Sequence, residues 1–298
     1  LDGDISSAGL GATMCLFFNK RIFDEKGFDY PYEMVRDVDW TFDEFANLAK
    51  KGGEDLNGDG VMKPVDDQYG FVTAEWEAPI NVLYAGGQKI YNINDEGAVE
   101  LTLYSNKTVE IFDEFFLLMN NEACFLKFTE GNINYTGPDI FSSGRAMMAS
   151  GGLGSAQGLR NMDDDFGIIP YPKFDETDEY STAVNGFAPL VVIPISVSDV
   201  NRTGAITEAL AAYGHRDVIP AFYEKSLKSK YARDEESEEM MDLIKDSIIY
   251  DMGYVAGGTF QSVGRDISKL TTHDFSSFYA ARESSAKKAV EDFNKDYG

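Results

Sequence analysis

Hydrophobic residues occur along the chain either in short continuous runs or at intervals of three or four positions. These two patterns alternate and predict strands and helices in alternation. Short apolar runs predict strands. Stretches with an apolar residue every three or four positions predict amphipathic helices. The predicted strands are residues 14–18, 146–149, 166–170 and 190–197, and the main predicted helices are 20–26, 80–85, 108–120, 204–213, 220–230, 235–249 and 282–297. This alternation predicts an α/β fold.

Several local signals mark where these elements begin and end. Gly27 is expected to end the predicted helix at residues 20–26. Thr41, with Glu44 three residues later, predicts a capping box at the start of another helix. Residues 139–143 are predicted as a turn into the strand at 146–149. The glycines at 152, 154 and 158 are one position out of step with a dinucleotide-binding loop, so they favour a strand-to-helix turn.

Composition and charge narrow the classes of function. The 298 residues correspond to about two domains, and 51 acidic against 26 basic residues give a net charge of −25. Such a surface repels a phosphate backbone and an anionic membrane, so nucleic acid is not an expected partner. The longest apolar run, residues 188–197, is about half as long as a membrane-spanning helix.

The chain offers few residues for nucleophilic or metal-based catalysis. Its two histidines, His215 and His273, lie far apart in polar surroundings, and no serine-hydrolase, zinc-protease or P-loop motif is present. Cys15 and Cys124 are predicted as small buried hydrophobic residues; no spacing argument supports a disulfide between them. Paired carboxylates remain an open alternative, although no pair stands out among 51 acids.

One segment matches a calcium-binding loop of the EF-hand type. Oxygen donors recur at alternate positions, and Gly60 permits the sharp bend that such a loop requires. The predicted ligands are Asp55, Asn57, Asp59, the carbonyl of Val61 and Asp66, with water or Asp67 completing the shell. Asp66 stands where a longer glutamate is usual. The alternative interpretation is a solvated turn without metal, and any bound Ca²⁺ would be structural.

Seven short segments occur in a consistent order along the chain: FNKRIF at 18–23, WTFDEF at 40–45, DLNGDG at 55–60 with YG at 69–70, FSSGRAM at 141–147, FGIIPYP at 166–172, PAFY at 220–223, and KYARD at 230–234 with EMM at 239–241. Together they resemble the sugar-binding proteins of ABC importers, in the group related to maltodextrin-binding protein (extracellular solute-binding protein family 1). The resemblance covers nearly the whole chain.

The resemblance implies a type II periplasmic-binding-protein-like fold with two α/β lobes and an N-terminally truncated chain. Residues 12–183 and 229–298 would form the second lobe, 184–228 would cross to the first lobe, and 1–11 would be a remnant of the hinge or first lobe. The predicted strand at 190–197 would then lack its sheet partners, and its apolar side chains would be exposed unless a partner or the rest of the protein covers them.

The resemblance also implies a function without catalysis. The protein would capture an oligosaccharide between its lobes and deliver it to an ABC permease, as a monomer with no organic cofactor. It would lie at the outer face of the cell membrane, held by a lipid anchor that precedes this sequence, or in a periplasm. Two alternatives are a carbohydrate-active enzyme that uses paired carboxylates such as Glu75, and a calcium-stabilised adhesion module.

Candidate ligand contacts follow from position within the family. They are Glu75, Trp76, Gly152, Leu153, Asn185, Phe187, Tyr254 and Phe260. Leu153 stands where maltodextrin-binding relatives carry a stacking tryptophan, which argues against maltodextrin as the ligand. For Glu75 and Trp76 the alternative is a surface acid and a core aromatic; for Asn185 and Phe187 it is an ordinary turn.

Overall fold

The computed structural model describes residues 4–74, 78–125, 128–130, 133–135, 137–185, 191–251, 253, 258–260, 262–270 and 273–297. The strands are β1 (Met14–Asn19), β2 (Tyr69–Val72), β3 (Tyr91–Ile93), β4 (Val99–Leu101), β5 (Cys124–Phe125), β6 (Phe128–Glu130), β7 (Ile133–Tyr135), β8 (Ala146–Gly152), β9 (Phe166–Ile169), β10 (Thr182–Ala183) and β11 (Ile248–Ile249).

Helices connect and cover these strands. They are α1 (Ala8–Gly11), α2 (Lys20–Lys26), α3 (Tyr32–Arg36), α4 (Phe42–Gly52), α5 (Ala78–Ala85), α6 (Asn106–Met119), α7 (Gly137–Ser142), α8 (Ala156–Leu159), α9 (Val200–Tyr213), α10 (Ile219–Phe222), α11 (Ser229–Tyr231), α12 (Glu235–Asp246), α13 (Val263–Ser268) and α14 (Phe275–Tyr297). In the part of the chain that the structure describes, no helix combines the length and the hydropathy needed to cross a bilayer.

The central sheet has five strands in the order β5-β2-β8-β1-β9. β2 runs parallel to both β5 and β8, whereas β1 runs antiparallel to β8 and β9. In this register Phe17 lies opposite Ala149 on one side and Ile168 on the other. The predicted α/β class is confirmed.

Both faces of the sheet are buried, because successive side chains of β1 point to opposite faces. Phe18 packs on one face with Trp40 and Phe71, in a cluster that α2–α6 complete. Phe17 packs on the other face with Phe141 and Ile168, in a cluster that α7, α8 and α12 complete. This double burial explains why β1 is apolar at every position from Met14 to Phe18.

Local signals in the sequence explain several element boundaries. Gly27 ends α2 in the left-handed conformation (φ 69°), as predicted. The Ser105 side chain caps α6 by accepting from the Thr108 N–H. Thr41 is at the N-cap of α4, as predicted, but its side chain makes no capping hydrogen bond. Residues 151–154 form the predicted strand-to-helix turn, through a short 3₁₀ segment, Leu153–Ser155.

Other predictions of secondary structure are wrong. Residues 137–142 form α7 rather than a turn, and α14 begins at Phe275 rather than at residue 282. The predicted strand at 190–197 is absent from its described part, 191–197, where no residue is in a strand. Side chains in this segment are exposed: Val192 is 77% exposed and Ile195 is fully exposed.

Helical structure is continuous from Val200 to Tyr231 and includes two π-helical segments, Gly214–Val218 and Tyr223–Lys228. The first lies next to Pro220, which has no N–H to continue an α-helical pattern. α9 buries no residue, whereas Tyr223 and Leu227 are buried in the same cluster as Met241 of α12. The proposed lobe boundaries stay a prediction.

Candidate functional site

The carboxyl ends of the parallel strands β2 and β8 meet at one edge of the central sheet. Thr73 follows β2 and Ser150 lies near the end of β8; both are buried, and their hydroxyl oxygens are 2.6 Å apart. In α/β sheets, ligands bind most often outside this edge. Glu75 and Trp76 follow Thr73 directly in the sequence but lie outside the described residues.

Close backbone packing fixes the start of α7 at this edge. A Cβ atom at Gly137 would lie 3.0 Å from the Thr73 nitrogen. A side chain there would push α7 away from the end of β2. Glycine therefore places the first turn of α7 beside Thr73.

Three of the predicted contact residues lie around the segment Ala12–Met14. The Leu153 N–H donates to the Thr13 carbonyl (2.8 Å), and the Asn185 N–H donates to the Ala12 carbonyl (2.9 Å). A Cβ atom at Gly152 would lie 2.9 Å from the Gly11 carbonyl oxygen. Gly152, Leu153 and Asn185, which are distant in sequence, are thus brought into one region.

The side chains in this region differ in how accessible they are. Leu153 is fully buried and packs in the cluster that contains Phe17. The Asn185 side chain is partly exposed and its amide lies 3.8 Å from the Met14 sulfur. As placed, Leu153 offers a ligand no surface, whereas Asn185 does.

Of the aromatic candidates Phe187, Tyr254 and Phe260, the structure describes Phe260. Phe260 is fully buried and its ring is parallel to that of Tyr279, with centroids 5.6 Å apart. A ring so placed stabilises the core and offers no face to a ligand. Phe187 and Tyr254 lie outside the described residues. The ligand-contact role of all these residues stays a prediction.

Asp251 is a buried acid that the sequence did not single out. Its carboxylate accepts from the backbone N–H groups of Ile90 (2.5 Å), Gly253 (2.7 Å) and Tyr91 (3.3 Å). Burial raises the pKa of Asp251 above its ordinary value, although these three donors favour the charged form. No local pattern distinguishes it from the many surface acids, so only tertiary contacts identify it.

The predicted calcium loop is closed by hydrogen bonds of its own. Asp55 accepts from the N–H groups of Gly58 and Gly60 (both 2.7 Å), and both glycines have positive φ. Asp67 is buried and accepts from Leu56 (3.0 Å) and Lys63 (2.7 Å). Asp67 rather than the exposed Asp66 therefore joins the two ends of the loop.

The side-chain ammonium group of Lys63 lies within this loop. The Lys63 ammonium is 3.0 Å from Asp59, and its hydrogen bond lowers the pKa of that carboxyl. Among the residues described, no three His, Cys, Asp or Glu side chains converge so that they could hold a metal ion. The oxygen-rich donor set suits Ca²⁺ in kind, and calcium binding stays a prediction.

Comparison with known proteins identifies the fold. No protein-family profile matches the chain, and no curated protein sequence matches it. Solved structures do match, over nearly its whole length. An ABC substrate-binding protein from Listeria monocytogenes, solved with cycloalternan, is similar with a TM-score of 0.58 and 14% identity, over 95% of this chain and 69% of that one.

Two further solved structures are similar to the chain over nearly its whole length. A cyclo/maltodextrin-binding protein complexed with maltotetraose matches with a TM-score of 0.56 and 13% identity, over 95% of this chain and 67% of that one. The GacH receptor of Streptomyces glaucescens, solved without ligand and with acarbose, matches with a TM-score of 0.54 and 14% identity, over 96% and 70%. The chain has the fold of the periplasmic-binding-protein-like ABC solute-binding proteins.

Proposed function

We propose that the protein is the extracytoplasmic substrate-binding component of an ABC transporter and that it captures a carbohydrate. The observation that carries this proposal is the fold match over 95% of the chain to a substrate-binding protein solved with cycloalternan. The maltotetraose and acarbose complexes support the same ligand class. Fold alone does not define function, so binding has to be measured directly.

The ligand would lie at the sheet edge formed by β2 and β8 and would contact a second lobe across a cleft. Glu75, Trp76, Asn185, Phe187 and Tyr254 are proposed contacts on this side. Ligand that touches both lobes favours the closed arrangement, which a permease can recognise. The protein would work as a monomer outside the cytoplasm, at the outer face of the cell membrane or in a periplasm.

A glycan panel with two readouts tests the proposal. Each glycan is incubated with the protein, thermal shift reports binding, and chromatography of the glycan reports cleavage. We expect a raised melting temperature with at least one oligosaccharide and no products. Products would support the alternative of a carbohydrate-active enzyme and overturn the proposal, as would no shift with any glycan.

We also propose that Ca²⁺ binds the loop from Asp55 to Asp66 as a structural ion. Asp55, Asn57, Asp59 and Asp66 would supply side-chain oxygens, and Val61 its carbonyl. The ammonium of Lys63 would then leave Asp59, because a divalent ion at that carboxylate would repel it.

A further inference from the structure

A pocket of about 170 Å³ opens between α7 and α8, beside the carboxyl end of β8. Ser150, whose hydroxyl group contacts Thr73, is part of its wall. The pocket therefore adjoins the sheet edge where the ligand is proposed to bind. Its floor is apolar and its rim is polar: the floor includes Phe17, Phe141 and Leu159, and the rim includes Asp139, Ser142 and Ser155.

The floor is held rigidly by the sheet. Phe17 belongs to β1, which is paired on both sides, and its ring lies 6.3 Å from the ring of Phe141. Both rings are at least 98% buried, so little of either faces the pocket. The floor is thus a small, fixed apolar surface.

The rim carries hydrogen-bonding groups that face solvent. Asp139 and Ser142 are three residues apart on α7 and share one face of that helix; both are exposed. Ser155 is exposed across the pocket, at the start of α8. A carboxylate at the rim of a chain with a net charge of −25 disfavours an anionic ligand.

We propose that this pocket is a subsite for a single neutral pyranose ring. This inference rests on the proposed carbohydrate-binding function. Hydroxyl groups of the ring would donate to Asp139 and the two serines at the exposed rim, and the small apolar surface left by Phe17, Phe141 and Leu159 would close the bottom of the pocket. The volume of about 170 Å³ is below the roughly 300–1,000 Å³ of pockets for drug-sized ligands. One ring of a longer glycan would therefore occupy it.

Gly158 provides a way to block the pocket without disturbing the fold. It lines the pocket on α8, and a Cβ atom there would meet no heavy atom within 4 Å. Leucine is a better helix former than glycine, so Gly158→Leu should fold. Gly204 in α9 is equally unobstructed and lies outside the pocket, so Gly204→Leu is a matched control.

The experiment measures binding of the methyl pyranosides of glucose, galactose, mannose and xylose by saturation-transfer NMR. At least one should bind the wild type and Gly204→Leu equally, and Gly158→Leu should lose that signal. Asp139→Asn, which keeps the side-chain shape, should bind about tenfold more weakly, as expected for the loss of a charge-assisted hydrogen bond. Melting temperatures identify any variant that fails to fold.

Three outcomes overturn the proposal. They are no pyranoside signal with the wild type, an unchanged signal with Gly158→Leu, and equal affinity of Asp139→Asn and the wild type. The oligosaccharide panel is scored separately. If oligosaccharides bind and these outcomes occur, only the subsite is wrong; if no oligosaccharide binds either, the proposed function fails as well.

Discussion

The carboxylate of Asp251 accepts a hydrogen bond from the backbone N–H of Ile90 at 2.5 Å, although the two residues are 161 positions apart in the sequence. Together with the bonds from Tyr91 and Gly253, this contact ties the end of β11 to the start of β3. One side chain thus satisfies three backbone donors that the fold removes from solvent.

We expect Asp251→Ala to lower the free energy of unfolding by about 3 kcal/mol, because it leaves buried N–H groups without an acceptor. Urea denaturation measures the change. Asp163→Ala, which removes an exposed acid, is the control and should change stability by less than about 0.5 kcal/mol. Equal effects of the two substitutions would show that the Asp251 contacts contribute little.

Asp234 joins three elements and should make stability depend on pH. It accepts from the Ser237 N–H at the start of α12 (2.6 Å) and from the Tyr32 hydroxyl (3.0 Å), and it pairs with Lys20. Burial alone would raise the pKa of Asp234, but the hydrogen bonds from Lys20 and Ser237 outweigh it and hold the pKa below the ordinary 3.8.

A lowered pKa in the folded state stabilises the protein at pH values above the pKa of the unfolded chain. This stabilisation is lost as the pH falls through the folded-state pKa. We expect Asp234→Asn, which can still cap the helix, to cost about 1 kcal/mol at neutral pH and progressively less below about pH 4.

Asp199→Asn is the matched control for Asp234→Asn. Asp199 also caps a helix through its side chain, but it is exposed and its nearest cation, Arg202, is 4.0 Å away. Urea denaturation over a range of pH should show a smaller loss at neutral pH for this variant. An equal loss would mean that the pair with Lys20 contributes nothing beyond capping.

Arg233 is bonded to a turn in a way that lysine cannot reproduce. Its guanidinium donates to the carbonyls of Asp164 (2.8 Å), Met162 (3.0 Å) and Leu159 (3.1 Å) and lies 4.7 Å from the centre of the Phe166 ring. We expect Arg233→Lys to lower the free energy of unfolding by about 1–2 kcal/mol, because the planar fork is lost. Arg202→Lys, at an exposed site, should be neutral; a neutral Arg233→Lys would contradict the interpretation.

Gly70 is required by close contact between α4 and β2. A Cβ atom there would lie 1.7 Å from the Ala49 carbonyl oxygen, and backbone atoms cannot move aside cheaply. We expect Gly70→Ala to cost about 3 kcal/mol or more. Gly204→Ala, where the Cβ meets nothing, should gain up to about 1 kcal/mol. Similar melting temperatures for the two variants would refute the close contact.

Calcium binding to the loop at 55–66 predicts a selective thermal shift. Ca²⁺ at about 100 times its Kd should add roughly 2.7 kcal/mol and raise the melting temperature by several degrees. Mg²⁺ should have a smaller effect, because it demands stricter geometry. Asp59→Asn should weaken the response and Asp163→Asn should not. No shift of the wild type with Ca²⁺ would leave the solvated turn as the correct interpretation.

Hydrophobic periodicity and turn residues correctly predicted those elements whose burial pattern is visible in their own sequence. β1, α2, α6 and α12 were predicted close to their observed bounds, because each carries its buried side chains at strand or helix spacing. The resemblance to sugar-binding ABC proteins anticipated the fold that the structural comparison identifies.

The remaining elements depend on contacts that the local sequence does not contain. Residues 190–197 are apolar enough for a strand, but a strand also needs a neighbour to pair with. α7 is fixed at its start by Gly137 against Thr73, a contact between distant parts of the chain. Likewise, Asp251 and the pocket beside α7 became recognisable only when distant segments were placed together.

The two native thiols make this protein convenient for site-specific labelling. Cys15 and Cys124 are both buried and neither is part of a disulfide, and burial raises the pKa of Cys124 to about 12. Because maleimides and similar reagents attack exposed thiolates, neither native cysteine should react in the folded protein. A fluorophore attached to one cysteine introduced on the surface would then label the protein at a single position without prior removal of the native cysteines.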